Sequence, residues 1–350
     1  MAETRRHGSR GRPTLEEVAA RAGVGRGTVS RVVNGSPRVS DRTRAAVERA
    51  IAELGYIPNR AARALAADRT DAVALVIPEP ETRLFAEPYF CDIIRGVGAE
   101  LADTDLQLLL TLVRTPKERQ RLADYLGAQR VDGVLVVSVH TGDPLPDLLE
   151  RIGMPAVLSG RRSGRETAAH VDADNAGGAC AAVTHLLARG RRSVATITGP
   201  ADMYAARCRL DGYRDAHRAA GREPDPELTE PADFTEEGGR RAMRALLGRR
   251  PDLDAVFAAS DVMAAGARQV LRAADRRVPE DVALVGFDDS AVARLMDPPL
   301  TSVRQPTEEM GRAMARALLD QIEARRSRHH RPLAPYRLIL PTELVPRASS

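Results

Sequence analysis

The chain has 350 residues and is 43% hydrophobic, which is enough for two or three domains with a large buried core. Its positive charge is concentrated near the start, where residues 1–70 contain 14 Arg, no Lys and 7 acidic residues. The remaining 280 residues carry a net charge of −3. This imbalance predicts that the first segment binds a polyanion. Three widely spaced cysteines without a C-x-x-C pair argue against a disulfide framework or a zinc site. The sequence has neither an apolar run of about 18 residues nor an apolar signal segment, which predicts a cytoplasmic protein without a membrane partner.

The first predicted elements are three short helices that follow a basic tail, residues 1–12, which we expect to be disordered. Residues 14–22 have apolar side chains at i, i+3, i+4 and i+7, the spacing of one helix face. Thr14 and Glu17 have the spacing of a capping box, in which each side chain binds the backbone of the other residue. A third helix is predicted over residues 40–54.

Around the start of the second helix, Gly23, Gly25 and Gly27 occupy alternate positions, a pattern that also occurs in phosphate-binding loops. A dinucleotide-binding loop is not favoured, because the preceding segment has helical periodicity and Thr28 occupies the position of the third glycine in G-x-G-x-x-G. No G-x-x-x-x-G-K-[ST] loop occurs either. The pattern instead predicts a helix-turn-helix with a tight turn at Gly23 and a recognition helix over residues 26–33.

From Asp71 onward, short apolar runs alternate with amphipathic helices, which is typical of doubly wound parallel sheets covered on both faces. The number of predicted strands favours two sheets, and therefore two subdomains. We expect the late segment LTSVRQP and the helix over 306–325 to rejoin the first sheet, and YRLILPTELV to join the second. The expected division is subdomain one at about 70–169 plus 300–328, and subdomain two at about 170–299 plus 332–346.

Several motifs, in one order, resemble the lactose-repressor (LacI/GalR) family of bacterial transcription regulators. In the first segment these are TLEEVAARAGV, RGTVSRVVNG, VSDRTR and LGYIPNRAARAL; further on they are PYFCDIIRGV, RLDGYRDA, ASDVMAAGA, VPEDVALVGFDDS and PPLTSVRQP. The resemblance implies a helix-turn-helix DNA-binding domain at 13–57, a hinge helix or linker at 58–69, and a periplasmic-binding-protein-like effector and dimerisation domain at 70–346.

The resemblance also implies a set of DNA-binding residues. The family pattern assigns base reading in the major groove to Arg26, Gly27 and Arg31, and arginine can bond bidentately to guanine. The implied phosphate and further DNA contacts are Asn34, Ser40, Thr43 and Arg44. Gly25 and Gly27 depart from the family pattern and remove two expected side-chain contacts, and each arginine could instead belong to a solvated face.

Leu65, within the implied hinge helix, matches the apolar wedge that enters the minor groove and kinks the operator. The segment is too short to form a stable isolated helix, so folding on binding DNA is physically reasonable. The alternative is that Leu65 packs as an ordinary core residue of the body.

The implied effector residues are polar or aromatic and follow predicted strands, where open α/β folds bind ligands. By the family pattern Arg209 and Asp288 bind ligand hydroxyls, while Asp261 follows Ser260 where many members have Asn. The aromatic candidates are Tyr89, Phe90 and Phe234, for which simple core packing is the competing interpretation. Aromatic faces together with directional polar groups suit a sugar ring, so we expect a mono- or oligosaccharide effector.

Two other classes of protein fit the sequence less well. An enzyme is disfavoured because the chain lacks G-x-S-x-G, H-E-x-x-H and Walker motifs, and no cofactor or metal is predicted. A sugar-binding protein without a DNA role would fit the body but not the basic first segment. No leucine heptads follow PTELVPRASS, so the sequence predicts no C-terminal zipper of the kind that makes some family members tetrameric. We therefore expect a homodimer, acting as a repressor, that reads a pseudo-palindromic operator. The effector's identity, and whether it releases or promotes DNA binding, stay open.

Overall fold

The computed structural model describes residues 13–33, 36, 38–56, 69–327 and 334–350, and it separates into two compact units, Met1–Thr70 and Asp71–Ser350. The predicted basic tail, the predicted wedge Leu65 and the predicted DNA contact Asn34 lie outside the described residues. Within the part of the chain that the structure describes, no helix combines the length and apolar character needed to cross a membrane.

The described part of the first unit forms three helices: α1 (Leu15–Ala22), α2 (Arg26–Val33) and α3 (Asp41–Leu54). Each helix contributes one fully buried valine to a shared core, at Val18, Val29 and Val47. Burying a valine side chain stabilises a fold by about 1.5–3 kcal/mol, so these contacts hold the small unit together. The predicted helix-turn-helix is confirmed.

The ends of these helices have the expected capping interactions. Glu17 N–H donates to Thr14 Oγ1 at 3.3 Å, and Thr14 N–H donates to Glu17 Oε2 at 2.7 Å, which completes the predicted capping box. Gly23 has a φ of +66°, a left-handed conformation that favours glycine and lets the chain turn directly into α2. Ser40 caps α3 by accepting from Thr43 N–H at 3.4 Å.

The second unit contains two six-stranded sheets among its described residues, each covered by helices. The elements that belong with the first sheet are β1 (Ala72–Ile77), α4 (Glu81–Ala86), α5 (Pro88–Leu101), β2 (Gln107–Leu112), α6 (Pro116–Gly127), β3 (Gly133–Val136), α7 (Leu145–Arg151), β4 (Ala156–Ser159) and β5 (His170–Ala173). The next set belongs with the second sheet: α8 (Asn175–Ala188), β6 (Val194–Thr198), α9 (Tyr204–Ala219), β7 (Thr229–Pro231), α10 (Glu236–Arg249), β8 (Ala255–Ala258), α11 (Asp261–Ala273), β9 (Ala283–Asp288), α12 (Ala291–Leu295) and β10 (Thr301–Arg304). The last elements are α13 (Thr307–Arg326), β11 (Arg337–Leu340) and β12 (Glu343–Val345).

The strand order is β11-β5-β4-β3-β1-β2 in the first sheet and β12-β10-β9-β8-β6-β7 in the second. Strand pairing is parallel throughout the described sheets except between β10 and β12. The predicted doubly wound architecture with two subdomains is therefore confirmed.

Three strands, β5, β10 and β11, do not lie in the sheet that the sequence predicted for them. β10 pairs with β9 in the second sheet rather than rejoining the first, whereas β5 and β11 pair with each other in the first sheet. The expectation was right for α13, which packs on α5 and the first sheet, and for β12. A short apolar run has the same appearance in either sheet, and only its long-range hydrogen-bond partners decide where it belongs.

The chain consequently crosses between the two subdomains three times within the described residues. The crossings follow β5, lie between β10 and α13, and lie between β11 and β12. Polar side chains at the first two crossings, among them Asp172 and Gln305, line a cavity between the two sheets.

Candidate functional site

The outer face of α2 carries the residues expected to read bases. The Arg26 side chain is 73% exposed, with Nη1 lying 3.2 Å from Glu16 Oε1, and Arg31 is also exposed. A Cβ added at Gly27 would meet no atom within 4 Å, so the surface of the helix is open there. An exposed ion pair of this kind is worth little and can exchange for a phosphate or a base. These assignments stay predictions.

The start of α3 carries the hydroxyls and the guanidinium that are expected to contact phosphate. Ser40 Oγ lies 2.9 Å from Thr43 Oγ1 at the N-terminus of the helix, where anions are stabilised. Arg44 is half-buried, and its Nη2 donates to the backbone carbonyl of Ser36 at 2.8 Å. Arg44 therefore supports the connection between α2 and α3 in addition to any DNA contact.

In the second unit, a cavity of about 70 Å³ lies between the carboxyl ends of the two sheets. That volume corresponds to two or three water molecules at about 30 Å³ each. The cavity is surrounded by an unusual density of polar side chains: Arg83, Glu87, Tyr89, Ser138, Ser159, Arg161, Asp172, Asn175, Arg209, Ser260, Asp288 and Gln305. We call this space the cleft. It has the position at which open α/β folds bind ligands.

Arg209, from α9, extends across the floor of the cleft and is almost fully buried. Its Nε donates to Asn175 Oδ1 at 2.8 Å, and its Nη1 donates to the carbonyl of Ala259 at 2.5 Å. The guanidinium lies 3.8 Å from the ring centroid of Phe287, a cation–π contact, and Nη1 is 3.7 Å from Asp288 Oδ1. Burial lowers the pKa of Arg209 because desolvation disfavours the cation.

Asp288 ends β9 with a φ of +114°, a backbone conformation that non-glycine residues rarely adopt. Gln305 Nε2 donates to its Oδ1 at 2.7 Å. Burial raises the pKa of Asp288, even though Arg209 and Gln305 both favour the ionised form. The strained position directs a carboxyl group into the cleft, and such strain is characteristic of functional sites.

Asp261, expected to contact the effector, is not among the residues that line the cleft. It is fully buried, where it accepts from Ser290 N–H at 2.7 Å and from the Ser302 hydroxyl at 2.6 Å. Burial and the nearby charge of Asp288 raise its pKa. The structure thus gives Asp261 a supporting position behind Asp288, joining α11 to β10.

The three aromatic candidates divide in the same way. Phe234 lines the cleft with a φ of +62° and packs so tightly on Gly199 that no Cβ fits there. Tyr89 also lines it, with its hydroxyl 2.7 Å from Ser159 Oγ, and burial raises its pKa to about 12. Phe90 is fully buried in the core of the first sheet and does not line the cleft, as the competing interpretation of core packing anticipated.

The sequence reasoning missed an ion network on the first-sheet wall of the cleft. Arg83 is buried between two glutamates: Nη1 is 2.5 Å from Glu79 Oε1 and Nε is 2.6 Å from Glu87 Oε1. Its guanidinium also lies 5.2 Å from the ring centroid of Phe234, in the second subdomain. Burial raises the pKa of Glu87 to about 7, outweighing the effect of Arg83. The available signal was a cluster of charges directly after the first apolar strand, in PEPETR.

A second missed group lies at the first crossing between subdomains. Arg161 Nε donates to Asp172 Oδ2 at 2.8 Å, and Asn175 Nδ2 donates to Asp172 Oδ1 at 3.0 Å. Since Asn175 also accepts from Arg209, a continuous chain of bonds runs along the cleft wall. These residues can present several fixed donors and acceptors to a ligand with many hydroxyl groups.

A larger open groove of about 670 Å³ lies elsewhere, between the start of β4 and the second half of α13. Its walls are mostly aliphatic, from residues such as Leu149, Met154 and Ala317, and it lacks the converging charged pairs of the cleft. The cleft is therefore the better candidate for ligand binding, because directional polar groups determine specificity in such sites.

Comparison with known proteins gives two family matches. Residues 14–59 match the model of bacterial regulatory proteins of the lacI family, and residues 183–350 match that of the periplasmic binding protein-like domain. The HTH-type transcriptional regulator CelR of Thermobifida fusca is 54% identical over 342 residues, which cover 97% of this chain and 99% of that protein.

Two solved structures extend the comparison to three dimensions. The complex of the transcriptional regulator CelR with cellobiose matches with a TM-score of 0.77 at 53% identity, over 97% of this chain and 100% of the other. The lac repressor dimer bound to operator and the anti-inducer ONPF matches with a TM-score of 0.84 at 26% identity, over 97% of this chain and 99% of the other.

Proposed function

The chain belongs to the LacI family of bacterial regulatory proteins, and from this premise we propose that a sugar of the cellobiose type, held in the cleft, switches its affinity for operator DNA. The protein is a DNA-binding transcriptional regulator, for which we propose the role of a homodimeric repressor at a pseudo-palindromic operator. It acts by binding two ligands and not by catalysis, and its proposed partner DNA would place it in the cytoplasm.

The proposal for the DNA side rests on the exposed face of α2 and the start of α3. Arg26 and Arg31 would contact base edges, and Ser40, Thr43 and Arg44 would contact phosphates, with Asn34 and Leu65 assigned by the family pattern alone. Because a Cβ at Gly27 would meet open space, this position leaves room for a base pair to approach the backbone. The glycine removes a possible side-chain contact and should relax selectivity at one base pair.

The observation that carries the proposal for the effector is the pairing of Arg209 with Asp288 inside a cleft walled by aromatic rings. The guanidinium is a donor of several bonds in a fixed plane, and the carboxyl group accepts from hydroxyls. Tyr89 and Phe234 offer apolar faces to the C–H surface of a sugar ring. Since ligand sites commonly measure about 300–1,000 Å³, the cleft must widen before a disaccharide can enter.

The preference for cellobiose rests on similarity to CelR, whose solved complex contains that sugar. Other disaccharides with the same number of hydroxyls, such as maltose, differ in the angle at which the second ring leaves the first. The fixed donors of Arg83, Arg209 and Asn175 come from both subdomains, so they should discriminate between these geometries.

A thermal-shift screen of the purified chain with cellobiose, maltose, lactose and ribose tests the effector assignment. A ligand at 100 times its Kd stabilises the folded state by about 2.7 kcal/mol. We expect a rise in Tm with cellobiose and little change with ribose. Equal shifts of Tm with all four sugars, or no shift with cellobiose, would refute the effector assignment. Operator binding by the same sample would show that the proposed role in DNA binding does not fail with it.

A further inference from the structure

A single imidazole links the two subdomains at the mouth of the cleft. His140 Nδ1 lies 2.8 Å from Oδ2 of Asp202, and its Nε2 lies 3.0 Å from Oε1 of Glu79. Glu79 and His140 follow β1 and β3 of the first sheet, whereas Asp202 follows β6 of the second. The sequence reasoning assigned no role to any of the three.

The geometry determines the protonation state of the ring. A neutral imidazole has one N–H donor and one lone pair, whereas ionised carboxylates only accept hydrogen bonds. With carboxylate oxygens beside both nitrogens, a neutral ring would direct its lone pair at one of them. Only the imidazolium ion donates to Glu79 and Asp202 at the same time.

We propose that protonated His140 is a latch that holds the cleft closed by joining Glu79 of the first subdomain to Asp202 of the second, so that opening the cleft releases a proton. This inference depends on the proposed function in one respect only, namely that the ligand entering the open cleft is a sugar. A sugar can enter only in the open state, and the fraction of open molecules therefore increases as His140 loses its proton to solvent.

Further bonds at the same place make the junction a defined contact rather than a chance approach of two loops. Thr141 N–H donates to the backbone carbonyl of Asp202 at 2.8 Å. From the second subdomain, Arg207 Nη2 donates to Thr141 Oγ1 and to the carbonyl of Arg162, each at 3.1 Å. Breaking the His140 bond would leave these neutral or exposed contacts to hold the mouth.

The charged groups around His140 come from every segment packed at this mouth: Glu79 and Arg83 after β1, Asp143 and Arg119 beside the β3 loop, Arg162 after β4, and Asp202 and Arg207 of the second subdomain. The cations have their own carboxylates in most cases. Arg83 is neutralised by two glutamates, Arg119 by Asp143, and Arg162 by Asp147 and Glu166. The two carboxylates in direct contact therefore dominate the field at the ring.

The direction of the pH dependence follows from this field. The hydrogen bond to Glu79 and that to Asp202 raise the pKa of His140 above its ordinary value, against the opposing effect of burial. Burial opposes the ionisation of Glu79, yet the bond from His140 and the charge of Arg83 lower its pKa. The latch is therefore complete below the ordinary pKa of histidine, about 6.5, and is lost as the pH rises through the raised value.

The first test follows the histidine ring by NMR in the sugar-free full chain. We expect His140 to titrate above about 6.5 in the wild type and at a lower pH than the wild type in Asp202→Asn, which keeps the shape of the side chain but removes its charge. Asp211→Asn is the matched control, because the two carboxylates are 63% and 62% exposed and Asp211 pairs with Arg214 on the outer side of α9. A wild-type midpoint at or below 6.5, or equal shifts in both variants, would overturn the latch.

The second test measures closure itself through hydrogen exchange of the Thr141 amide. That N–H bonds to the backbone carbonyl of Asp202, which the substitution Asp202→Asn retains. After correction for the intrinsic rate, protection should fall from pH 6 to pH 8.5 in the wild type and in Asp211→Asn. It should be low and independent of pH in Asp202→Asn. Protection that is the same in all three proteins at every pH would contradict the proposal.

The third test measures the rate of cellobiose association by stopped-flow tyrosine fluorescence. One linked proton changes the open fraction by up to about tenfold per pH unit. The association rate should therefore rise with pH in the wild type and be fast at all pH values in His140→Gln. If the wild type and the variant show the same pH profile, gating by His140 is wrong. If cellobiose does not bind at all, the effector assignment fails, and the first two tests still decide whether the latch exists.

Discussion

At the scale of single residues, Asp288 allows an isosteric test, because Asp288→Asn replaces one oxygen of a carboxyl group that lines the cleft. Asp288→Asn retains the oxygen that accepts from Gln305, and it removes a charge that burial already disfavours. The substitution also neutralises the charge partner of buried Arg209, which keeps its bonds to Asn175 and Ala259 and its contact with Phe287. We therefore expect the fold and sugar-free operator binding to be retained, which the free energy of unfolding checks first. Effector binding should be weakened by about 1–3 kcal/mol as acceptor bonds to ligand hydroxyls are lost. Isothermal titration with cellobiose measures the loss.

The control for this experiment is Asp215→Asn, which removes an exposed carboxylate that pairs with Arg218 on the same unit. A wild-type dissociation constant in Asp288→Asn, or equal weakening in both variants, would place the effector elsewhere. Arg209→Ala is a poorer test, because it removes the buried cation beside Asp288 and leaves Asn175 Oδ1 and the carbonyl of Ala259 without the donors that Arg209 supplies. Breaking a buried pair costs about 3–5 kcal/mol, enough to confuse loss of binding with loss of folding.

The two arginines of the DNA face should respond differently when each is replaced by alanine. Arg31→Ala should cost roughly 1–3 kcal/mol on the true operator and little on random DNA, because a base contact is lost. Arg44→Ala should weaken binding to both DNAs and reduce the salt slope by about one, because a phosphate contact is lost. Fluorescence anisotropy at several salt concentrations checks both. Uniform weakening by Arg31→Ala would make it a phosphate contact instead.

How far the site could be predicted also varies by residue. The family motifs led to Arg209, Asp288, Tyr89 and Phe234, all of which the structure brings to the cleft. The same motifs could not show that Phe90 and Asp261 lie behind the residues that line the cleft. The direction of a side chain depends on tertiary packing, which a linear sequence pattern does not contain. The bond between His140 and Asp202 joins residues 62 positions apart and depends on how the two sheets face each other.

At the scale of an element, the glycine that ends α1 and the glycine in the first turn of α2 give substitutions of opposite sign. Gly27 lies in the first turn of α2 with open space around it, so Gly27→Ala should stabilise the helix by up to about 1 kcal/mol. Gly23 has a φ of +66°, so Gly23→Ala should destabilise the turn by about 1 kcal/mol or more. Hydrogen exchange of the Val32 amide reports both, and lower protection in Gly27→Ala would contradict this account.

Elements with strong local signals could be predicted well. The capping box at Thr14, the turn at Gly23 and the cap at Ser40 each specify a helix end through neighbouring atoms, and the structure has all three. The membership of β5, β10 and β11 was predicted wrongly because parallel pairing depends on partners far away in the chain. β11 lies beside β5, although its sequence resembles that of any other short apolar strand.

At the scale of the whole molecule, the proposed regulation couples two ligands: the sugar bound by the second unit alters the affinity of the first unit for operator DNA. The chain crosses between the two subdomains three times within its described part, so the opening or closing of the cleft must move both subdomains relative to these crossings. Linkage then requires reciprocity: whatever factor cellobiose applies to operator affinity, operator must apply to cellobiose affinity. Typical coupling of this kind is about 1–3 kcal/mol, or roughly 5–150-fold.

The most direct measurement is a titration of operator binding by fluorescence anisotropy, repeated at increasing cellobiose, together with calorimetry of cellobiose binding with and without operator. We predict that both experiments give the same coupling factor, that it lies within about 5–150-fold, and that it disappears in Asp288→Asn at sugar concentrations that fully switch the wild type. If cellobiose binds while operator affinity stays constant, and operator leaves cellobiose affinity unchanged, the cleft is a sugar site without control over DNA, and the central claim is wrong.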